Sequence, residues 1–178
     1  MSKKNIFAIS GSLRSGSSNH AILRFLADGL PSYINYTIYD NLATVPPFDP
    51  NMDQYPLPKA VTELRALIAR ADAIIICTPE YAFGVPGQLK NTLDWLVSSG
   101  SLADKLVAFI TASSVGTNAH SALGLILRAL SANITNETSL LIPFIRAKID
   151  TEGRIIDEAV HESLEKLFNE VLIRLTFK

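Results

Sequence analysis

The chain is poor in the residues that build disulfides and metal sites. Of its 178 residues one is Cys, Cys77, and three are His. A single thiol excludes an internal disulfide, and no CxxC, HExxH or His/Cys cluster offers metal-ligand spacing. Surplus positive charge is missing too. Lys and Arg number 16 against 17 Asp and Glu, a formal net charge of -1. Binding to nucleic acid therefore has no electrostatic support. No apolar run approaches the length of a membrane span, and the one after Lys3-Lys4 is too short for a signal peptide. These absences point to a cytoplasmic protein with neither a nucleic acid nor a membrane as partner. Three motifs are also lacking: the GxSxG elbow, the P-loop GxxxxGK[ST], and the dinucleotide fingerprint GxGxxG, since Gly11 is followed by Ser12-Leu13.

What is present begins at Ile6–Asn19, IFAISGSLRSGSSN. A short apolar run stops at Ser10, a polar loop follows, and an apolar-periodic segment starts near Ala21. That order reads as strand, loop and helix. Ser10, Ser12, Ser15, Ser17 and Ser18 bring hydroxyls, Asn19 an amide and Arg14 a guanidinium, and Gly11 and Gly16 permit tight backbone. A helix opening there aims unsatisfied N–H groups and a positive dipole end into the loop. Such a loop cradles a phosphate. Its wealth of side-chain donors suits a terminal monoester, where a pyrophosphate favours bare backbone, so a mononucleotide is the expected ligand. A Ser-capped surface loop of the same composition is the plainer alternative.

Strand-like and helix-like stretches alternate along the rest. Strands are expected at Ile6–Ile9, Tyr36–Tyr39, Ala73–Cys77, Leu106–Ile110 and Ser139–Ile142, and helices near Asn19–Leu30, Val61–Ala71, Pro86–Leu96, Ala119–Leu130 and Asp157–Leu175. The alternation predicts one α/β domain, a doubly wound five-stranded parallel sheet covered on both faces. Asp40–Pro58 is a Pro-rich connection, long for a loop without structure of its own. Cys77 ends an apolar run and reads as a buried strand residue. In such a sheet ligands sit beyond the carboxyl ends of the strands, where the winding reverses. That selects three loops: the cradle, the stretch after Cys77 and the stretch after Ile110. Glu80 and Tyr81 fall at the second strand tip, where a flat aromatic ligand can lie against Tyr81 or Phe83; the plainer alternative is that these two aromatics cap the edge of the core. Thr111–His120, TASSVGTNAH, forms the third loop. His120 reads as a structural residue or a proton donor, His20 as a neighbour of the phosphate, and His161 as exposed. Trp95 with Leu96-Val97 reads as core or as a subunit contact. The three loops hold no base–nucleophile pair, so a bound cofactor is expected to carry the chemistry.

GSLRSGSSN (Gly11–Asn19) and PEYAFGVPGQLKNTLDWL (Pro79–Leu96) resemble the two signature stretches of the NADPH-dependent FMN reductase family, G-S-[LI]-R-x-x-S-x-N and P-E-Y-N-x-x-x-P-G-x-L-K-N-x-[IL]-D-W. The resemblance implies a flavodoxin-like fold. It implies FMN as cofactor, NADPH or NADH as hydride donor, and a small acceptor such as a quinone, azo compound, free flavin or metal oxyanion. It also implies a homodimer or homotetramer, with Lys90, Asn91 and Asp94 structural or interfacial. The cofactor-binding residues expected are Ser10, Ser12, Arg14, Ser17, Ser18 and Asn19 from the first loop. The second loop contributes Thr78, Pro79, Glu80, Tyr81, Ala82 and Phe83, and the third Ser113 and Gly116. No residue is expected to act as a catalytic acid, base or metal ligand. Two departures stand out: Ala82 where the family has Asn, which implies one polar contact fewer near the flavin, and Ala119-His120 where it has a Gly pair, which implies either less room for the flavin or an imidazole near its pyrimidine edge. They keep two other readings open, a non-catalytic electron carrier and a flavin-less sensor or scaffold. Carriers of this fold are strongly acidic, and this chain is not.

Overall fold

A computed structural model describes residues 3–176. Five strands, β1 (Lys4–Ser10), β2 (Ile34–Tyr39), β3 (Ala73–Thr78), β4 (Leu106–Ala112) and β5 (Ser139–Ile142), form a single sheet in the order β2-β1-β3-β4-β5. All of its pairings are parallel, as the strand–helix alternation predicts. The helices are α1 (Ser18–Ala27), α2 (Lys59–Arg70), α3 (Gly87–Asp94), α4 (Thr117–Ala129) and α5 (Glu158–Thr176). Each expected strand and helix is found, with ends displaced by up to three residues. The Pro-rich connection carries two short 3₁₀ turns, Leu42–Thr44 and Pro50–Met52.

Strand alternation sorts the core into two layers. Phe7, Ile9, Ile74, Ile76, Val107 and Phe109 face the layer built by α2, α3 and α4. Ile6, Ala8, Ile75, Cys77, Ala108 and Ile110 face α1 and α5. β3 is buried at every position, which is why its sequence is a continuous apolar run rather than an alternating one. Among the described residues no helix is long and apolar enough to cross a membrane.

The helix of the second signature stretch has a plain structural task. Gln88 Nε2 donates to the carbonyls of Leu42 (2.8 Å) and Val45 (2.9 Å), and Asn91 Nδ2 to that of Pro46 (2.9 Å). Asn91 Oδ1 accepts from Phe48 N (2.6 Å), and Trp95 Nε1 donates to Pro46 O (2.8 Å). The connection is thereby tied to α3. Trp95 is 0% exposed, edge-on to Phe48 with centroids 5.1 Å apart. The alternative that made it a subunit contact is corrected: its indole is buried within its own chain.

The winding reverses between β1 and β3, and their carboxyl ends come close there. Gly11 N donates to Cys77 O (2.8 Å), and a Cβ on Gly11 would sit 2.3 Å from Thr78 Oγ1. Only glycine lets the first loop leave the sheet at this point.

Candidate functional site

A cavity of ≈ 340 Å³ opens at that reversal. Ser12, Arg14, Ser17, Ser18 and Asn19 line it from the first loop, and Pro79, Glu80 and Tyr81 from the second. Ala112, Ser113 and Ser114 line it from the third, and Ile145 and Arg146 from the segment after β5. The three loops selected from the sequence do converge.

The first loop is shaped by its own hydroxyls. Ser10 Oγ donates to Ser12 O (3.2 Å) and accepts from Ser12 N (3.3 Å), and Ser12 Oγ accepts from Arg14 N (3.3 Å). Ser17 caps α1, its Oγ accepting from His20 N at 3.2 Å. As acceptors, the Ser12 and Ser17 hydroxyls keep their own protons free for a ligand oxygen. The N–H groups of Ser18 and Asn19, in the first turn of α1, meet no acceptor among the described residues. Neither does the exposed Arg14 guanidinium. Free N–H groups, hydroxyl protons and a guanidinium around one helix terminus fit a phosphate monoester.

The Asn19 side chain, expected to help hold the phosphate, is spent on the sheet. Its Nδ2 donates to Ala112 O (3.3 Å) and its Oδ1 accepts from the Cys77 thiol (3.3 Å). It braces the tips of β3 and β4 against α1. Burial pushes the Cys77 thiol well above its ordinary pKa. Ser10 and Thr78 do not line the cavity, and the Thr78 hydroxyl donates to Pro79 O (3.1 Å).

Glu80 lines the cavity but is engaged elsewhere. Its Oε2 accepts from Ala119 N (2.8 Å) and its Oε1 from Gly116 N (3.4 Å), so it neutralises the amino terminus of α4. Its backbone N–H donates to Ser113 Oγ (3.2 Å). Gly116, the N-cap of α4 at φ +92°, enters the site only through this contact. Ala82 and Phe83 form the two central positions of a tight turn closed by Tyr81 N to Gly84 O (3.0 Å) and Gly84 N to Tyr81 O (2.9 Å). Both have positive φ, +48° and +61°, as a type I′ turn demands. The turn carries them away from the cavity lining and leaves Phe83 77% exposed.

The histidines take no part in the lining. His120 contacts Thr111 Oγ1 through Nδ1 (3.1 Å) and Ser139 Oγ through Nε2 (2.9 Å), and stacks on Phe109 with centroids 4.8 Å apart. Burial holds its pKa below the ordinary value. His20 lies 3.6 Å from Asp40, and His161 lies edge-on to Phe25 with centroids 4.8 Å apart.

Ala112, Ser114, Ile145 and Arg146 line the cavity and are not among the residues expected there. The signal for the last two was available. In an all-parallel sheet every strand ends at the same edge, so the segment after β5 was as eligible as the other loops.

Fold and cavity together define the class: a flavodoxin-like α/β protein with a donor-lined cavity at its winding reversal. The flavoenzyme NAD(P)H:(acceptor) oxidoreductase FerB of Paracoccus denitrificans has the same fold, with a TM-score of 0.82 at 23% identity over 97% of both chains. A family model described as NADPH-dependent FMN reductase matches residues 4–146. A quinone reductase of Escherichia coli (strain K12) is 33% identical, over 91% of this chain and 90% of the relative. An NAD(P)H-dependent FMN reductase of Pseudomonas aeruginosa is 30% identical, over 90% and 89%. The NADH:(hydroxy)cinnamate reductase subunit CrdA of Vibrio ruber is also 30% identical, over 95% and 86%. The chain belongs to the NADPH-dependent FMN reductase family and is an NAD(P)H-dependent oxidoreductase with FMN as its cofactor.

Proposed function

We propose that the chain holds FMN in the cavity at the β1/β3 reversal and reduces a small, flat acceptor of the quinone class. When bound, FMN supplies the redox chemistry, taking a hydride from NADPH or NADH and returning electrons to the acceptor. The protein's part is binding, orientation and exclusion. Arg14, the Ser12 and Ser17 hydroxyls and the Ser18 and Asn19 N–H groups would grip the phosphate. The Pro79–Tyr81 backbone and the Ser113–Ser114 segment would flank the ring. Glu80 is held by two α4 N–H groups, so the residues that line the cavity offer no free carboxyl to protonate a product. Water would supply that proton.

The observation that carries this reading is the open α1 terminus. Its donors face the same cavity as Arg14 and go unanswered by the described residues. The quinone reductase relative supports the acceptor class. A homodimer or homotetramer is part of the proposal. It is supported by Leu13, Tyr81, Phe83, Val115 and Phe144, large apolar side chains left exposed on the loops at the carboxyl edge of the sheet. Several large apolar side chains exposed on loops at one edge suit a covered face.

The test is titration of the purified chain with FMN, followed by stopped-flow mixing with NADPH or NADH. The expected result is a visible flavin spectrum that bleaches directly on mixing and recovers on addition of a quinone. Failure to take up FMN would sink the reading, and uptake without direct bleaching would favour an electron carrier. Light scattering during elution checks the oligomer, with a monomer the contrary outcome.

A further inference from the structure

Arg146 lies outside both signature stretches, yet it lines the same cavity as Arg14. It sits in a 3₁₀ turn, Ile145–Ala147, just beyond β5. Phe144 launches that turn at φ +54°, in the left-handed region that a bulky residue rarely adopts. Two backbone bonds hold it against the third loop: Phe144 N to Ser114 O (3.1 Å) and Ile145 N to Ser113 O (3.2 Å). Unusual backbone that the surroundings enforce concentrates at binding sites. The Arg146 side chain is exposed and has no carboxylate or other hydrogen-bond partner among the described residues. Nothing in the fold therefore accounts for its guanidinium. A turn farther along the same segment also closes on α1, since a Cβ on Gly153 would lie 3.6 Å from Ala21 Cβ.

Charge balance supplies a task. A phosphate monoester carries roughly -1.5 to -2 at neutral pH. Arg14 offers one positive charge, and a helix amino terminus is equivalent to about half of one. The only carboxylate on the cavity wall, Glu80, already answers the other nearby helix terminus. Arg14 and the helix terminus together supply about 1.5 positive charges, which meets the lower end of that range and falls about half a charge short of the upper end, and a second guanidinium covers the dianion.

We infer that Arg146 is a second arginine for the FMN phosphate, closing on it from the β5 side opposite the first-loop Arg14. This rests on the reading that FMN occupies the cavity. The two fail separately in one experiment, flavin-fluorescence titration of the apoprotein with FMN and with riboflavin, which lacks the phosphate. Arg146→Gln should weaken FMN about ten- to a hundredfold, the scale of a hydrogen bond to a charged group. Riboflavin affinity should stay within twofold, which also shows that the variant is folded. Arg146→Met, which keeps the apolar stem, should show the same split, and the salt dependence of FMN binding should become shallower in both variants. If the unsubstituted chain binds neither flavin, the proposed function itself fails. If it binds FMN and both variants bind FMN as tightly, Arg146 does not serve the phosphate. A changed KM for carboxylated but not neutral quinones, with flavin affinity intact, would reassign it to acceptor recognition. An equal loss for FMN and riboflavin would overturn the inference as well.

Discussion

Two helix amino termini flank the cavity, and the chain treats them in opposite ways. At α4 the N-cap is Gly116, which brings no side-chain acceptor, and Glu80 reaches across from the second loop to take the Gly116 and Ala119 N–H groups. At α1 the N-cap is Ser17, which answers His20 N, while the N–H groups of Ser18 and Asn19 stay free. One terminus is neutralised from inside and the other is left for something from outside. A helix dipole is available to a ligand only where the fold leaves it unanswered.

The contrast can be broken most severely at Gly11. Gly11→Ala forces a methyl to within 2.3 Å of Thr78 Oγ1 and 2.9 Å of Leu89 Cδ2. Overpacking there should cost about 3 kcal/mol, read as a lowered urea midpoint, and FMN binding should weaken with it. Next in size, Arg14→Ala removes the first-loop guanidinium. FMN affinity should fall by roughly 1.5–3 kcal/mol in a titration, with stability unchanged. Glu80→Ala exposes the α4 terminus. It should cost about 1 kcal/mol of stability, visible as a Tm lower by roughly 2–4 °C, and should weaken FMN less than Arg14→Ala does. An effect on FMN as large as that of Arg14→Ala would erase the distinction between the two termini.

Smaller effects sharpen the comparison. His120 lies in the first turn of α4, and burial lowers its folded pKa, so the unfolded chain binds its proton more readily. Its contribution to stability is complete above the unfolded value near about 6.5 and is lost as the pH falls from there toward the folded pKa. Thermal melts between pH 7.5 and 5.5 should therefore show a steeper loss in the unsubstituted chain than in His120→Gln. Smallest is Ala82→Gly in the turn after Glu80. Relief of the positive φ at +48° should gain about 0.5–1 kcal/mol, checked by the same melts.

The layered architecture was legible because it is written in local periodicity. The β3 sequence AIIIC can only fill a strand covered on both sides, and the apolar spacing of α2 presents Val61, Leu64 and Ile68 to one layer. The cradle was legible too, since strand, polar loop and helix are adjacent in sequence. Harder to read was which way a polar group would turn. The Asn19 amide goes to Ala112 and Cys77, 93 and 58 residues away. Glu80 goes to a helix 39 residues on. Such partners are set by the strand order, not by neighbours along the chain. Trp95 reads from the sequence as core or as a subunit contact, and the choice between them rests on the Pro46 carbonyl that accepts its N–H, in a connection with no periodicity to follow. Ala82 looked like a lost polar contact, yet its backbone conformation explains an Asn there equally well, because Asn tolerates positive φ. Arg146 follows β5, and all five parallel strands end at the edge where the winding rule places ligands, not only the three whose loops stand out in the sequence.

The position of Cys77 has a chemical consequence. Quinones are electrophiles that add irreversibly to thiolates, so an enzyme that handles them is exposed to damage from its own substrate. Here the lone thiol is 0% exposed, burial opposes its ionisation, and its proton is committed to the Asn19 carbonyl oxygen at 3.3 Å. Reactivity follows the accessible thiolate, and the folded chain presents none from its single cysteine. An acceptor of the quinone class, if the proposed function holds, would meet no thiolate to arylate at Cys77.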